Sequence, residues 1–221
     1  MDAVKRKRTL VEETYDILVN AICSGELSSG ERLNQDEIAV RLKVSRQPVN
    51  SAISILRANG LVEDTGRRSV IVTPFDPELF RAIYEYRKVV EPFAVRLAGR
   101  SLSDRHRREA DRILKVGIKA MTCGSLTELL QADVLFHQMI YAWSGNQVVE
   151  TSMKTNWHHI CRSMAEVLRD TTAVMPVWKE HKEIIEKLIS GHTEEAAKIM
   201  ENHIEHAYSA IVSSFLTSQK K

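Results

Sequence analysis

The apolar positions in the first sixty residues follow helical spacing in three short runs. In "TLVEETYDILVNAIC", residues 9–23, apolar side chains recur every three to five positions, at Leu10, Tyr15, Leu18 and Ile22. This spacing predicts a helix, which Gly25 would end. A loop follows, and then "QDEIAVRL" predicts a short helix, "KVS" a tight turn and "RQPVNSAISILRAN" a second helix with Gly60 as its C-terminal cap.

The next stretch, "LVEDTGRRSVIVTP", predicts two short strands around a turn at Gly66. Val70, Ile71 and Val72 are β-branched, and Pro74 closes the run. Helix, helix, turn, helix and hairpin is the element order of a winged helix-turn-helix domain. We therefore expect this domain at residues 1–75.

From Pro77 onward the strand signals disappear and only helical patterns remain. They cover residues 77–99, 104–121, 125–143, 147–169, 177–190 and 194–216. The predicted fold is mainly α: an N-terminal winged helix-turn-helix with a small β wing, followed by an all-helical antiparallel bundle of about six helices. The second domain would span residues 76–221.

Composition agrees with a packed, mostly helical protein, because 43% of the 221 residues are hydrophobic and only 9 are Gly and 5 are Pro. Cys23, Cys123 and Cys161 form no CxxC pair, so we expect reduced thiols and no cysteine zinc site. No apolar run has the roughly 18 residues of a membrane span, which predicts a cytoplasmic protein. A net charge of only +2 means that any case for DNA binding must rest on local arrangement.

The helix after the tight turn has the features of a DNA-recognition helix. Ser45 suits the N-cap, Pro48 falls in the first turn, and the apolar positions face a core. This leaves Arg46, Gln47 and Asn50 facing outward at the end that helix-turn-helix proteins insert into the major groove. Arginine can bridge the two acceptors of guanine, and Gln or Asn can pair with adenine or a phosphate. The alternative is an ordinary solvated helix.

The predicted wing adds a second group of candidate DNA contacts. Arg67 and Arg68 follow Gly66 at the wing tip, where they could hold the phosphate backbone.

The stretch "VSRQPVNSAISILRANGLVE" resembles the signature of the GntR family of winged-helix transcription regulators. The resemblance covers about residues 9–75 and implies binding to double-stranded operator DNA. The family usually has arginine where this chain has Asn50, and often an acidic-basic pattern where it has Gln35 and Asp36. These departures bear on the operator sequence and not on DNA binding itself.

Polar residues interrupt three apolar helix faces in the second half of the chain. In "LLQADVLFHQMI", Asp133 and His137 lie among the apolar positions. His181 lies within the apolar face of the helix predicted at residues 177–190, and His203 lies near the apolar face of the last predicted helix. By the same helical count His158, His159 and His206 fall outside the apolar faces and should lie at the surface.

Three imidazoles and one carboxylate facing inward suit a divalent transition ion with one or two open positions. We expect zinc first, with nickel or manganese as alternatives. The competing interpretation is that each of Asp133, His137, His181 and His203 is a core polar residue satisfied by a hydrogen bond.

The stretches "DVLFHQMIYAWSGN", "WKEHKEIIEKLISG" and "AAKIMENHI" resemble the FCD effector domain of the FadR branch of the same family, over about residues 78–215. In metal-binding members these positions are the metal ligands, so the resemblance implies that role for Asp133, His137, His181 and His203. "YEYRKVVEPF" resembles the first helix of that domain, where Arg87 would clamp an effector carboxylate. An internal Arg87–Glu91 ion pair at i,i+4 spacing is the alternative, and both can hold in turn.

Together these features predict a homodimeric transcription regulator, not an enzyme, that binds an inverted-repeat operator and responds to a small carboxylate at a metal site. The alternatives are a metal-dependent hydrolase and a metal-free organic-acid sensor. The chain has no HExxH motif and no obvious general base beside the four ligands, which disfavours the hydrolase.

Overall fold

The computed structural model describes residues 8–66, 70–123, 126–169 and 171–218. The chain divides into two compact units, Met1–Phe75 and Asp76–Lys221.

In the first unit the described elements are α1 (Leu10–Ser24), β1 (Arg32–Leu33), α2 (Gln35–Leu42), α3 (Arg46–Ala58), β2 (Val62–Asp64) and β3 (Val70–Val72). A capping box between Thr9 and Glu12 starts α1, and Gly25, with φ of 77°, ends it. Asn34 caps α2, since its side chain accepts hydrogen bonds from the next turn. The predicted helix, helix, turn, helix and hairpin are confirmed.

The wing is a three-stranded antiparallel sheet in the order β1-β3-β2. The loop predicted between the first two helices contains β1, so the prediction of a loop there was wrong. Arg32 pairs with Ile71 and Leu33 with Val70. A strand of two residues is too short to show an alternating pattern, so its pairing with β3 defines it.

The core of the first unit lies between the three helices and the sheet. Leu18 and Ile22 of α1 and Val49, Ile53 and Leu56 of α3 are buried there. Gly60, with φ of 69°, follows the C-cap of α3, and the Leu61 N–H donates to the Leu56 carbonyl. This packing buries one face of α3 and leaves its opposite face exposed.

The described part of the second unit is a bundle of six helices: α4 (Pro77–Ala98), α5 (Asp104–Cys123), α6 (Leu126–Trp143), α7 (Gln147–Arg169), α8 (Thr171–Ile189) and α9 (Thr193–Ser218). The predicted helical bundle is confirmed, but α8 begins six residues earlier than expected. Pro176 lies inside α8 rather than before it. Because a proline removes only one intrahelical hydrogen bond, a helix packed on its neighbours can continue through it.

Helix α4 packs against α6, α7 and α9, and α8 packs against α5, α7 and α9. Cys23 and Cys161 are buried thiols that form no disulfide, as predicted, whereas the side chain of Cys123 lies outside the described set. Among the helices described, none is both long enough and apolar enough to cross a membrane.

Candidate metal centre and nucleic-acid interface

The N-terminal turn of α3 presents the side chains predicted to contact DNA. Arg46, Gln47 and Asn50 are exposed, while Pro48 beside them is buried. Ser45 is the N-cap residue by backbone geometry, but its hydroxyl makes no capping hydrogen bond. The face is therefore polar, exposed and carried on a helix whose other side is anchored in a core.

Arg46 forms an ion pair through Nε with Oδ1 of Asp36. Gly66 lies exposed in the wing turn with φ of 80°, a left-handed conformation that favours glycine. Arg67 and Arg68, the predicted backbone contacts, lie outside the described residues.

The four inward-facing residues come together in the second unit. Asp133 and His137 on α6, His181 on α8 and His203 on α9 are all at most 1% exposed. Nε2 of His181 lies 3.3 Å from Nε2 of His203 and 3.6 Å from Oδ1 of Asp133. Nε2 of His137 lies 3.8 Å from Oδ2 of Asp133. The three histidines each offer a nitrogen within 4.8 Å of the others, so one ion between them could be held.

Hydrogen bonds satisfy only part of this cluster. Both carboxylate oxygens of Asp133 and Nε2 of His137 are buried and have no hydrogen-bond partner. Buried polar atoms without a partner are costly and rare, so the interpretation as hydrogen-bonded core residues does not account for Asp133.

The electrostatics of the metal-free site follow from burial. Burial raises the pKa of Asp133 to about 8, against the opposing effect of Arg87. Burial lowers the pKa of His137 to about 4, although Glu91 opposes the shift. Burial and the neighbouring His203 and His137 hold the pKa of His181 well below its usual range. His137 and His181 are therefore neutral at pH 7, which is the protonation state that binds metals.

Two glutamates contact the Nδ1 atoms of two of the histidines, on the side of each ring away from the cluster. Neither glutamate was predicted to belong to the metal site. His137 Nδ1 lies 2.6 Å from Glu91 Oε2, and His203 Nδ1 lies 2.8 Å from Glu180 Oε2. A carboxylate on the outer nitrogen is the usual arrangement around histidines that bind metals. For Glu180 a local signal existed: it directly precedes His181 in the sequence.

Arg87 and Glu91 form the ion pair that was the alternative to an effector clamp, fully buried on α4, with Arg87 Nε 2.5 Å from Glu91 Oε1. Burial alone would lower the pKa of Arg87, but Glu91, Tyr84 and Tyr141 together outweigh it and the pKa is raised. Burial likewise opposes ionisation of Glu91, yet Arg87 and His137 hold its pKa well below the usual range. Nη1 and Nη2 of Arg87 have no hydrogen-bond partner, so the fork of the guanidinium is open to a further ligand.

Aromatic rings fix the orientation of His181. Phe136 stacks on it with ring centroids 3.7 Å apart, and Trp178 meets it edge-on at 4.8 Å. Trp178 packs where Gly117 of α5 has no side chain, because a Cβ there would lie 2.1 Å from the ring. A histidine held by neighbouring rings has little freedom to turn away from the site.

The remaining histidines differ in exposure. The side chain of His206 is 66% exposed, as predicted, but its Nδ1 lies 2.7 Å from Glu180 Oε1. His158 and His159 are half-buried rather than fully at the surface, so that prediction was wrong. Helical spacing gives the direction of a side chain relative to its own helix, whereas burial also depends on the neighbouring helices.

Comparison with known proteins covers both units. Residues 10–72 match the profile of the bacterial regulatory proteins of the gntR family, and residues 82–206 match the FCD domain. The HTH-type transcriptional regulator YdhC of Bacillus subtilis (strain 168) is 25% identical over 195 residues, which cover 87% of this chain and 86% of YdhC. The gluconate operon transcriptional repressor of Bacillus licheniformis is 29% identical over 119 residues, which cover 54% of this chain and 49% of the repressor.

Among solved structures, McbR/YncC of E. coli superposes with a TM-score of 0.83 at 16% sequence identity, covering 95% of this chain and 100% of that one. This likeness shows the shared fold. The two profile matches, one for each unit, assign the family. The chain belongs to the gntR family of bacterial regulatory proteins, in the FadR-like branch with an FCD domain, and is a DNA-binding transcription regulator rather than an enzyme.

Proposed function

We propose that this regulator changes its affinity for an inverted-repeat operator when a small carboxylate binds at a metal site in its second unit. The observation that carries the proposal is the fully buried carboxylate of Asp133, which lies within 4 Å of Nε2 of His137 and of His181 and has no hydrogen-bond partner. A bound cation would offset the cost of burying that charge.

Asp133, His137, His181 and His203 would hold one divalent transition ion, with zinc the first expectation and nickel or manganese the alternatives. Three neutral histidines and one carboxylate leave the site with net positive charge and room for a further ligand. Such a site supplies an electrophilic anchor for an anion.

Arg87 would be the second anchor for the effector. Its Nε is engaged by Glu91, but Nη1 and Nη2 have no partner and can hold a carboxylate in two parallel bonds. The similarity to a gluconate operon repressor supports a sugar acid as one effector class. A central-metabolism acid is a second candidate class.

DNA binding would use the exposed start of α3 in two copies of the chain. One recognition helix reads only a few base pairs, so specificity requires two half-sites and a homodimer. Helix α4 carries an exposed apolar stripe that suits a second copy, with Leu79 41%, Tyr86 38%, Val89 71% and Phe93 43% exposed. Arg46, Gln47 and Asn50, with Ser45 and Gly66 at the flanks, are the proposed contacts in each half-site.

The signal would pass through α4. This helix carries Arg87 and begins at Pro77, directly after the first unit ends in the sequence. An effector that draws Arg87 toward the metal would shift α4 and alter the spacing of the two recognition helices. The effector can shift the equilibrium between the two spacings of the recognition helices only by the difference in its affinity for them, which we expect to be about 1–3 kcal/mol.

The metal is tested first, on protein purified without chelator. Metal analysis should find close to one ion per chain, and added zinc should raise the melting temperature of chelator-treated protein. His181→Ala should abolish both effects. Less than about a tenth of an ion per chain, with no response to added metal, would favour the metal-free acid sensor.

The effector is tested by titrating protein onto operator DNA with a panel of carboxylic acids. The wild type should respond to one acid class, whereas Arg87→Ala and His137→Ala should lose most of that response. An acid that alters operator affinity equally in all three proteins would show that neither the metal site nor Arg87 carries the signal.

A further inference from the structure

Glu180 joins the candidate metal centre to the protein surface. Its Oε2 lies 2.8 Å from Nδ1 of buried His203, and its Oε1 lies 2.7 Å from Nδ1 of exposed His206. One carboxylate thus contacts two histidines that lie three residues apart on α9, from its own place on α8.

The contact determines which nitrogen of His203 can bind a metal. A carboxylate only accepts hydrogen bonds, so Nδ1 of His203 carries the proton and donates it. The lone pair of the neutral ring then lies on Nε2, the atom that is 3.3 Å from Nε2 of His181. Without Glu180, the buried Nδ1–H would lose its acceptor and the ring could adopt the other tautomer.

We propose that Glu180 is a positioning residue for the metal ligand His203, and that His206 holds the second oxygen of its carboxylate in place. This inference rests on the proposed function, because it assumes a metal at the cluster. Glu180 itself does not face the ion, so its effect would act entirely through His203.

The other two histidines of the cluster can be compared with His203. His137 has an equivalent partner in Glu91, but Glu91 also holds Arg87 and is fully buried, so replacing it would disturb the effector anchor too. Nδ1 of His181 has no hydrogen-bond partner, and ring packing holds that residue instead. Glu180, 22% exposed, is the outer carboxylate that can be replaced with least damage to the fold.

His206 should matter less than Glu180. Its side chain is 66% exposed, so water can replace it as a donor to Oε1 of Glu180. The bond from His203 to Oε2 is buried at the histidine and has no such substitute.

The test measures zinc affinity by competition with a chromophoric chelator at one pH, for wild type, Glu180→Ala, Glu180→Gln and His206→Ala. Glu180→Ala should weaken zinc binding by about 10- to 100-fold. Glu180→Gln should lose less, because its amide oxygen still accepts from Nδ1–H, and His206→Ala should change affinity by no more than about threefold. The absorption spectrum of cobalt-loaded protein should shift for Glu180→Ala and stay near that of wild type for His206→Ala.

The matched control is Glu183→Ala, which removes the same charge from an exposed position on the same helix. It should leave zinc affinity and the cobalt spectrum unchanged. Thermal melting of the chelator-treated variants checks that each variant folds. If Glu180→Ala does not fold, Glu180→Gln takes its place in the comparison with Glu183→Ala.

The outcomes separate the two proposals. If the wild type binds no zinc or cobalt, the proposed metal site fails. If the wild type binds zinc but the Glu180 variants bind it within twofold of Glu183→Ala, with an unchanged cobalt spectrum, the positioning role is overturned.

Discussion

At the scale of single residues, hydrophobic packing does not explain the burial of Asp133 in the second unit. Its carboxylate is fully buried beside the imidazoles of His137 and His181, and neither oxygen has a hydrogen-bond partner. Removing such a group from water costs several kcal/mol unless a counter-charge compensates. In the metal-free chain the group responds by holding its proton, since its pKa is raised to about 8.

The first prediction concerns the metal-free protein as a function of pH. Between the ordinary Asp pKa of 3.8 and about 8, the unfolded chain ionises Asp133 while the metal-free fold keeps it protonated. The unfolded state therefore binds fewer protons in this window, and the stability of the fold falls as pH rises. Asp133→Asn does not titrate, so it should be more stable than wild type at pH 8, on the order of 1–3 kcal/mol.

The measurement is thermal melting of both proteins in chelator from pH 4 to 8. The two proteins differ only at position 133, so the contribution of the other groups largely cancels in the difference. A difference that does not grow with pH would mean that Asp133 is ionised in the metal-free fold.

A second residue-scale prediction concerns Arg46, which is exposed at the start of α3 and paired through Nε with Asp36. Arg46→Ala should cost about 1–3 kcal/mol of operator affinity and relax specificity at one base pair per half-site. Operator and random duplexes, compared at several salt concentrations, measure both effects. Arg57→Ala, which removes an exposed arginine at the other end of α3, is the control and should keep the specificity ratio.

At the scale of elements, the site depends on helices that meet at close range. Residues four apart share one helix face, which brings Asp133 to His137 on α6 and Arg87 to Glu91 on α4. Helix α5 contributes no ligand, but its Gly117 makes room for Trp178, which in turn packs on His181.

The third prediction follows from that close approach. Alanine is a better helix former than glycine by about 1 kcal/mol, so Gly117→Ala would stabilise an isolated α5. In the folded chain its Cβ would lie 2.1 Å from the Trp178 ring, and relieving this overlap should destabilise the protein by roughly 1–3 kcal/mol overall. Chemical denaturation measures the change, and zinc affinity should fall with it because His181 moves with Trp178.

Lys115→Ala, at an exposed position of the same helix, is the control and should be neutral or slightly stabilising. Equal stability of Gly117→Ala and Lys115→Ala would mean that Trp178 can move away at no cost.

At the scale of the whole molecule, the proposed regulation requires that two copies of the chain act together. The α4 stripe has Arg87 and Glu91 on the opposite, buried face of the same helix, so one element would connect the effector anchor to the dimer contact. A fixed operator can report a change in α4 only if both recognition helices are held through such a contact.

The fourth prediction tests this surface. Val89 is 71% exposed at the middle of the stripe, so Val89→Glu would place two carboxylates close together across a twofold contact. Light scattering should show a monomer, and operator affinity should fall more than tenfold while affinity for random DNA changes little. Ile118→Glu, at a position 53% exposed on α5, should remain a dimer with normal operator binding.

The sequence by itself determined the features that are local. Helix periodicity located the six helices described in the second unit and predicted that His181 and His203 face inward. It can do so because 3.6 residues per turn relates the side chains of one helix to each other without reference to other elements. The same local rule placed Asp133 beside His137 and offered the Arg87–Glu91 pair as one of two roles for Arg87. The predicted helix bounds were least accurate where local signals compete with packing, as at Pro176 of α8.

Only the tertiary structure decided which distant groups meet. Strand β1 exists because its two residues pair with β3, some 38 positions away, and no pattern of two residues can predict that. Glu91 reaches His137, and Glu180 reaches His203, from helices far apart in the sequence. Periodicity states the direction in which a side chain leaves its own helix, whereas the partner that faces it depends on how separate helices pack.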